Sequence, residues 1–222
     1  MPVQREAVEF VDRFDRAQAL TTTPGHNGWT IADTSAAGAP TYLTTSDGMV
    51  LTLEATSEAQ IVTMYQNDIL YLPSARLKSI EFDVEVAGIE AVTTLVFGVA
   101  SERNDTDDTV AEHAWFRMQG SVSTTAVVVE SDDGTNDNND VATGKTLAAT
   151  KFRFRIDFER GLSDVRFYID GDRVAAGTTF DMSSIGATQG LQPLVQLQKA
   201  SGTGVPSVTI RRLRYSYNYL AD

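Results

Sequence analysis

The stretch Leu77-Lys78-Ser79-Ile80-Glu81-Phe82-Asp83-Val84-Glu85-Val86 decides the fold. Apolar and polar side chains alternate along it, and alternation with a period of two indicates a β-strand with one buried face. Its four apolar side chains from Ile80 onward are predicted to face the core, which leaves the acidic side chains facing water.

Similar short stretches recur along the rest of the chain. They cover 50–54, 59–65, 94–100, 114–119, 126–130, 151–158, 165–169, 173–175, 194–198 and 208–219. The 151–158 stretch places Phe152, Phe154, Ile156 and Phe158 on one face, and Asp170-Gly171 marks a two-residue hairpin turn. No helical stripe separates the strands, so a parallel sheet is not expected. The pattern predicts an all-β fold, a two-sheet antiparallel sandwich of the jelly-roll type.

The two ends of the chain carry further signals. Residues 1–15 are predicted to form an N-terminal arm that ends in a first strand, although the apolar residues from Val3 to Phe14 also fit helical spacing. Residues 16–222 are predicted to form a single sandwich domain. Near the C-terminus Arg211 and Arg212 interrupt the alternation, which predicts a β-bulge.

Composition excludes several classes of function. The 222 residues include 30 acidic and 18 basic side chains, a formal net charge of −12, and no cysteine. Such a surface repels nucleic acid and anionic lipid, so neither is an expected partner. The absence of cysteine removes disulfides and thiol nucleophiles. The charged N-terminus lacks the apolar segment of a signal peptide, so we expect folding in the cytoplasm where the chain is made.

The run Glu81-Phe82-Asp83-Val84-Glu85 is the first candidate for chemistry. Alternation places its three carboxylates on one face of the strand. The run resembles the active-site strand of laminarinase-like glycoside hydrolases, and that resemblance implies Glu81 as nucleophile, Glu85 as acid/base and Asp83 as the residue that tunes them. The alternative is an ordinary strand with a solvated acidic face. We favour the alternative, since a motif without its structural context is weak evidence.

The run from Glu130 to Asp140 is the second candidate, and its polar segment from Ser131 to Asp140 is predicted to be a loop. Its oxygen-rich side chains suit calcium, with Asp132, Asp133, Asp137 and Asp140 as the expected ligands. A plain solvated hairpin is the alternative. No other cofactor is expected, because the sequence contains no phosphate-binding glycine motif.

Arginine and tyrosine cluster in the last strand. Because both residue types favour protein interfaces, Arg211, Arg212, Arg214, Tyr215 and Tyr217 are candidates for a docking surface. A solvated strand face explains the arginines equally well.

Three stretches together resemble a known family. They are FVDRFD at 10–15 with Asn27-Gly28-Trp29, the central IEFDVEV with LVFGVAS, and the late VRFYIDGDRVA, LQPLVQLQKASG and VTIRRLRY. The set is similar to concanavalin A-like (laminin G-like) sandwich proteins among the structural proteins of tailed bacteriophages. The resemblance implies a virion part without catalytic residues.

Three functions follow as expectations. The first is a head decoration or cement protein on the outer capsid surface, a homo-oligomer bound to the major capsid protein, made in the host cytoplasm and then located on the virion. The second is a lectin-like module of a phage tail or fibre that binds a glycan. The third and least favoured is a laminarinase-like glycoside hydrolase, so the chain is expected not to be an enzyme.

Overall fold

A computed structural model describes residues 7–14, 20–21, 28–67, 72–186 and 189–218. These residues form strands and three single-turn 3-10 helices at Ser74–Arg76, Asp107–Thr109 and Leu162–Asp164. The strands, β1 to β16 in chain order, are Ala7–Asp12, Thr30–Asp33, Thr41–Thr45, Gly48–Thr52, Gln60–Tyr65, Leu72–Pro73, Leu77–Ala87, Thr93–Ala100, Glu112–Gln119, Ala126–Asp133, Asp137–Thr146, Lys151–Asp157, Arg166–Ile169, Asp172–Val174, Gly190–Lys199 and Ser207–Asn218. None of the described helices is long and apolar enough to cross a membrane.

The strands form two antiparallel sheets. Sheet 1 has the order β14-β13-β12-β7-β16-β4-β3, with β1 also paired to β16. Sheet 2 has the order β11-β10-β9-β8-β15-β5-β2, with β6 also paired to β15. The predicted two-sheet sandwich is therefore confirmed, and the alternating strand that decided the fold is β7, inside sheet 1.

The core lies between the sheets and is rich in aromatic rings. Phe97 and Phe116 of sheet 2 pack against Phe82 and Phe154 of sheet 1, with ring centroids 4.8 to 5.8 Å apart. These four side chains are fully buried. The aromatic stretch at 152–158 behaves as predicted, since its inward residues are buried or packed against the core.

The predicted turn and bulge are both present. Asp170 and Gly171 join β13 to β14 with φ values of 52° and 89°, the left-handed backbone that a tight hairpin requires. The register of β16 against β7 shifts between Ile210 and Arg212, as a bulge requires.

The prediction of a loop from Ser131 to Asp140 was wrong. Strand β10 continues to Asp133, only three residues turn, and β11 begins at Asp137. Strand β11 has few apolar side chains because it lies at the edge of sheet 2, where pairing with β10 supplies the order that composition does not indicate.

The first strand is extended, as favoured over the helical alternative. Strand β1 pairs with the C-terminal half of β16, and Phe10 stacks on Tyr215 with ring centroids 4.9 Å apart. Residues 1–6 of the expected arm lie outside the described residues, and the division at residue 15 stays a prediction.

Candidate functional site

Glu81, Asp83 and Glu85 lie on the outer face of sheet 1, but the first two do not face water. Glu81 is 8% and Asp83 is 6% exposed. The strand register places Arg153 of β12 and Arg212 of β16 on either side of Asp83. Their Nε atoms lie 3.1 and 3.3 Å from the two Asp83 carboxylate oxygens. The expectation of a solvated acidic face is therefore corrected, because flanking arginines cover these acids.

The other two acids of the run are held in the same way. Arg214 Nη1 and Arg212 Nη2 donate to the two oxygens of Glu81 at 3.1 and 3.3 Å. Arg211 Nη2 donates to Glu85 Oε2 at 2.6 Å. Guanidinium groups thus engage both oxygens of Glu81, and the run forms an ion-pair lattice.

A groove of about 600 Å³ runs along this face beside β12. Both cationic and anionic side chains line its walls, together with the aromatic ring of Tyr168. Arg155 sits over the Tyr168 ring at 5.8 Å, and its Nη2 donates to Asp157 at 2.8 Å. Neighbouring carboxylates pair with four arginines of the groove, Arg153, Arg155, Arg212 and Arg214. Arg155 Nε is nevertheless buried without a hydrogen-bond partner among the described residues.

The residues of the predicted docking surface in β16 do not share one environment. Arg211, Arg212 and Arg214 form the ion pairs of sheet 1, whereas Tyr215 is 2% exposed and points into the core. Tyr215 therefore cannot contact a partner, because the bulge returns it to the inward face. Tyr217 is partly buried and packs against the core.

The outer face of sheet 2 holds a smaller pocket of about 190 Å³, which we call the acidic pocket. Its walls are Asp108, His113, Arg117, Glu130, Asp132, Asp137, Asn139 and Asp140. Strand register explains the arrangement, since His113 of β9 pairs with Asp132 of β10, which pairs with Asp137 of β11. Five carboxylates and a single guanidinium group thus line the pocket.

Arg117 is buried in the acidic pocket and contacts several of its acidic side chains. Its side chain is 6% exposed, and its Nη1 lies 2.7 Å from Glu130 Oε1 and 2.8 Å from Asp108 Oδ1. Its Nε lies 3.4 Å from Asp107 Oδ2, so the segment that follows β8 is fixed over the sheet. Trp115 Nε1 donates to the second Glu130 oxygen at 2.6 Å. Burial nevertheless raises the pKa of Glu130 to about 7, and the neighbouring Asp140 carboxylate adds to this rise.

His113 is the other buried polar group in the pocket. It is 3% exposed and stacks on Trp115 at 3.7 Å between ring centroids. Its Nδ1 lies 2.8 Å from the Val110 carbonyl oxygen, and its Nε2 is buried without a hydrogen-bond partner among the described residues. Burial lowers the pKa of His113 to about 4, so the ring is neutral at pH 7.

The four predicted calcium ligands do not converge. Asp132, Asp137 and Asp140 line the acidic pocket, but Asp133 does not. Its oxygens accept the backbone N–H groups of Thr135, Asn136 and Ser184 and so shape the β10–β11 turn. Within the described ranges no group of three or more histidine or acidic side chains is arranged to hold a metal ion. This geometry gives the calcium prediction no support.

The two shifted groups predict opposite effects of pH on stability. Unfolded His113 binds a proton between about pH 4 and 6.5 that the folded state does not bind, so its contribution to stability grows as pH rises. Folded Glu130 retains a proton between about pH 4.5 and 7 that the unfolded state has lost, so its contribution shrinks as pH rises. His113→Asn lacks this gain. For each unit by which pH rises between about 4 and 6.5, its free energy of unfolding is therefore expected to fall behind that of the wild type by up to about 1.4 kcal/mol.

Urea denaturation at half-unit steps from pH 4.5 to 7 measures this difference. Glu130→Gln is the matched control, and its stability is expected to increase relative to the wild type as pH rises over the same range. The other charged groups that face the pair are Asp107, Asp108, Arg117, Asp132, Asp137 and Asp140, and they stay in both variants. Curves parallel to the wild type would show that neither group has a shifted pKa.

Sequence reasoning missed Arg117, Glu130 and His113. The available signal was polar side chains at outward positions of otherwise apolar strands, namely His113 and Arg117 in β9 and Glu130 after the run of valines in β10.

No family model and no curated protein sequence matches this chain. Solved structures do match its fold. A Bacillus licheniformis β-glucanase aligns with a TM-score of 0.63 and 16% identity over 93% of this chain and 97% of its own. A Bacteroides ovatus family 16 glycoside hydrolase, bound to a G4G4G3G product, aligns at 0.61 and 12% over 93% and 99%. The carbohydrate recognition domain of Emp47p aligns at 0.58 and 9% over 95% and 97%. The fold is therefore a concanavalin A-like jelly roll.

The prediction that the chain is not an enzyme is corrected by these matches. Glycoside hydrolases align over nearly the whole chain, so the architecture is one on which catalysis is built. The named structures are hydrolases and a carbohydrate recognition domain rather than virion parts. The decoration role, the capsid partner, the oligomer and the virion location stay predictions.

Proposed function

We propose that this chain binds a saccharide in the acidic pocket of sheet 2. The observation that carries the proposal is His113, a buried side chain that lines the pocket and whose Nε2 has no hydrogen-bond partner in the part of the chain that the structure describes. Buried polar atoms are nearly always hydrogen-bonded in native structures, so an unpartnered one at a pocket wall points to a ligand group that completes it.

The chemistry of the walls suits sugar hydroxyl groups. Carboxylates, an amide at Asn139, an imidazole and a guanidinium supply acceptors and donors at short range. Titratable groups with shifted pKa values that line a pocket mark it as a candidate functional site. Saccharide-binding and saccharide-cleaving proteins among the structural neighbours give this assignment further support.

A glycan array with the purified chain tests the proposal, followed by calorimetry on the best ligand. His113→Phe keeps the ring that stacks on Trp115 but removes the Nε2 acceptor. We expect about tenfold weaker binding in this variant, the cost of one buried hydrogen bond. Asp47→Asn, in the exposed turn between β3 and β4, is the control and should bind like the wild type. Failure of every glycan to bind at millimolar concentration would overturn the proposal.

Glycoside hydrolysis in the same pocket is a second candidate, favoured by Glu130. A carboxyl with a pKa near 7 can hold a proton at neutral pH and donate it to a leaving group. The Asp108 carboxylate contacts the same Arg117 nitrogen, so two carboxyl groups lie close together, as retaining hydrolysis requires. Release of reducing ends by the wild type, abolished in Glu130→Gln with binding retained, would support this candidate.

A further inference from the structure

We propose that the ligand of the acidic pocket carries a protonated amine, which makes it an amino sugar with a free amino group. This inference rests on the proposed saccharide site and names its substrate class. It follows from the charge of the pocket, from the protonation of His113 and from the lack of a metal-binding arrangement there.

Negative charge in the pocket exceeds positive charge. Arg117 is the single cation in the walls, and it already contacts Glu130, Asp108 and Asp140 at 2.7, 2.8 and 3.6 Å. Asp132 and Asp137 have no cationic side chain within 4 Å among the described residues. Burial, reinforced by the neighbouring Asp137 carboxylate, raises the pKa of Asp132. A bound cation would relieve this repulsion.

His113 adds an acceptor rather than a second cation. Because a carbonyl oxygen can only accept, the contact with Val110 places the ring proton on Nδ1. The buried Nε2 therefore presents a lone pair. His113 stands beside Asp132 and Asp137 in one row across three strands, so the row consists of acceptors.

A ligand that satisfies this row must donate hydrogen bonds, and a positive charge on it would offset the two carboxylates. An ammonium group does both, with three N–H donors, whereas a hydroxyl group supplies one donor and no charge. A metal ion is the other cation to consider, but the described histidine and acidic side chains form no metal-binding group. A pocket of about 190 Å³ has room for a small group such as one sugar ring.

Calorimetric titrations of the full chain with glucosamine oligomers, N-acetylglucosamine oligomers, glucose oligomers and calcium chloride test the inference. We expect glucosamine oligomers to bind about 10- to 100-fold more tightly than either neutral series, since hydrogen bonds to charged groups are the stronger class. Asp137→Asn removes one carboxylate from an exposed position and is expected to reduce this preference about tenfold. Asp47→Asn serves again as the control for lost surface charge.

Each result separates the inference from the function on which it rests. If glucosamine oligomers bind more tightly than the neutral series, and Asp137→Asn weakens this preference, the result supports both the amino-sugar inference and the saccharide site. Equal binding of neutral and amino sugars, weakened by His113→Phe, overturns the inference and leaves the saccharide site standing. Calcium binding that Asp137→Asn abolishes overturns the inference in favour of a metal. No binding by any of the four probes overturns the inference, and the glycan array decides separately on the function.

Discussion

Arg117→Met is expected to lower the free energy of unfolding by about 3–5 kcal/mol, because breaking a buried ion pair strands its partner. Methionine fills much of the volume of arginine but supplies no charge. Glu130 and Asp107 would then remain buried without their cation. Chemical denaturation at pH 8, above the pKa of Glu130 in the wild type, is the measurement. The loss should be smaller at pH 5, since a protonated carboxyl needs no counter-ion.

Two further variants test whether the loss of stability in Arg117→Met comes from the broken ion pairs or from altered packing. The double variant Arg117→Met with Glu130→Gln removes a charge from each side, and it is expected to recover a large part of the lost stability. Arg153→Met removes an arginine that is 55% exposed and pairs with Asp83 on sheet 1. Arg153 is half exposed and Asp83 keeps Arg212 as a partner, so this control should cost less than about 1 kcal/mol. A double variant no more stable than Arg117→Met would show that the cost comes from packing.

The sequence was sufficient to predict the fold because the physical signals were local. The alternation in β7 and β12 and the Asp170-Gly171 turn each depend on residues a few positions apart. Even the bulge at Arg211 and Arg212 is visible as one interrupted alternation. Strand β11 was missed for the converse reason, since its order comes from pairing with β10 rather than from its own side chains.

The site could not be predicted in the same way, because it depends on contacts between distant residues. Arg117 meets Glu130 only through the register of β9 and β10, and it meets Asp107 only because the preceding loop crosses the sheet. The same limit explains the error at Glu81 and Asp83. The motif showed three acids on one face, but the arginines that pair with them come from β12 and β16, some 70 to 130 positions later.

Phe97→Ala is expected to reduce the free energy of unfolding by about 3–5 kcal/mol, the cost of removing a buried phenyl ring and leaving a cavity. Phe97 is fully buried and joins the two sheets, since its ring contacts Phe82 and Phe154 of sheet 1 and Phe116 of sheet 2. These four rings fill the interior at its centre, where neighbouring strands cannot close inward without breaking their ladders. Little of the cavity should therefore collapse, which places the cost toward the upper end of the range.

Phe152→Ala is the matched control, because it removes the same atoms from a half-buried position at the margin of the cluster. Urea denaturation of both variants and the wild type measures the difference, and we expect Phe152→Ala to cost less than half as much as Phe97→Ala. Phe97→Leu adds a graded test, since it retains part of the volume and should recover about half of the loss. Equal costs for Phe97 and Phe152 would mean that the sandwich depends on total apolar burial rather than on this aromatic contact between the sheets.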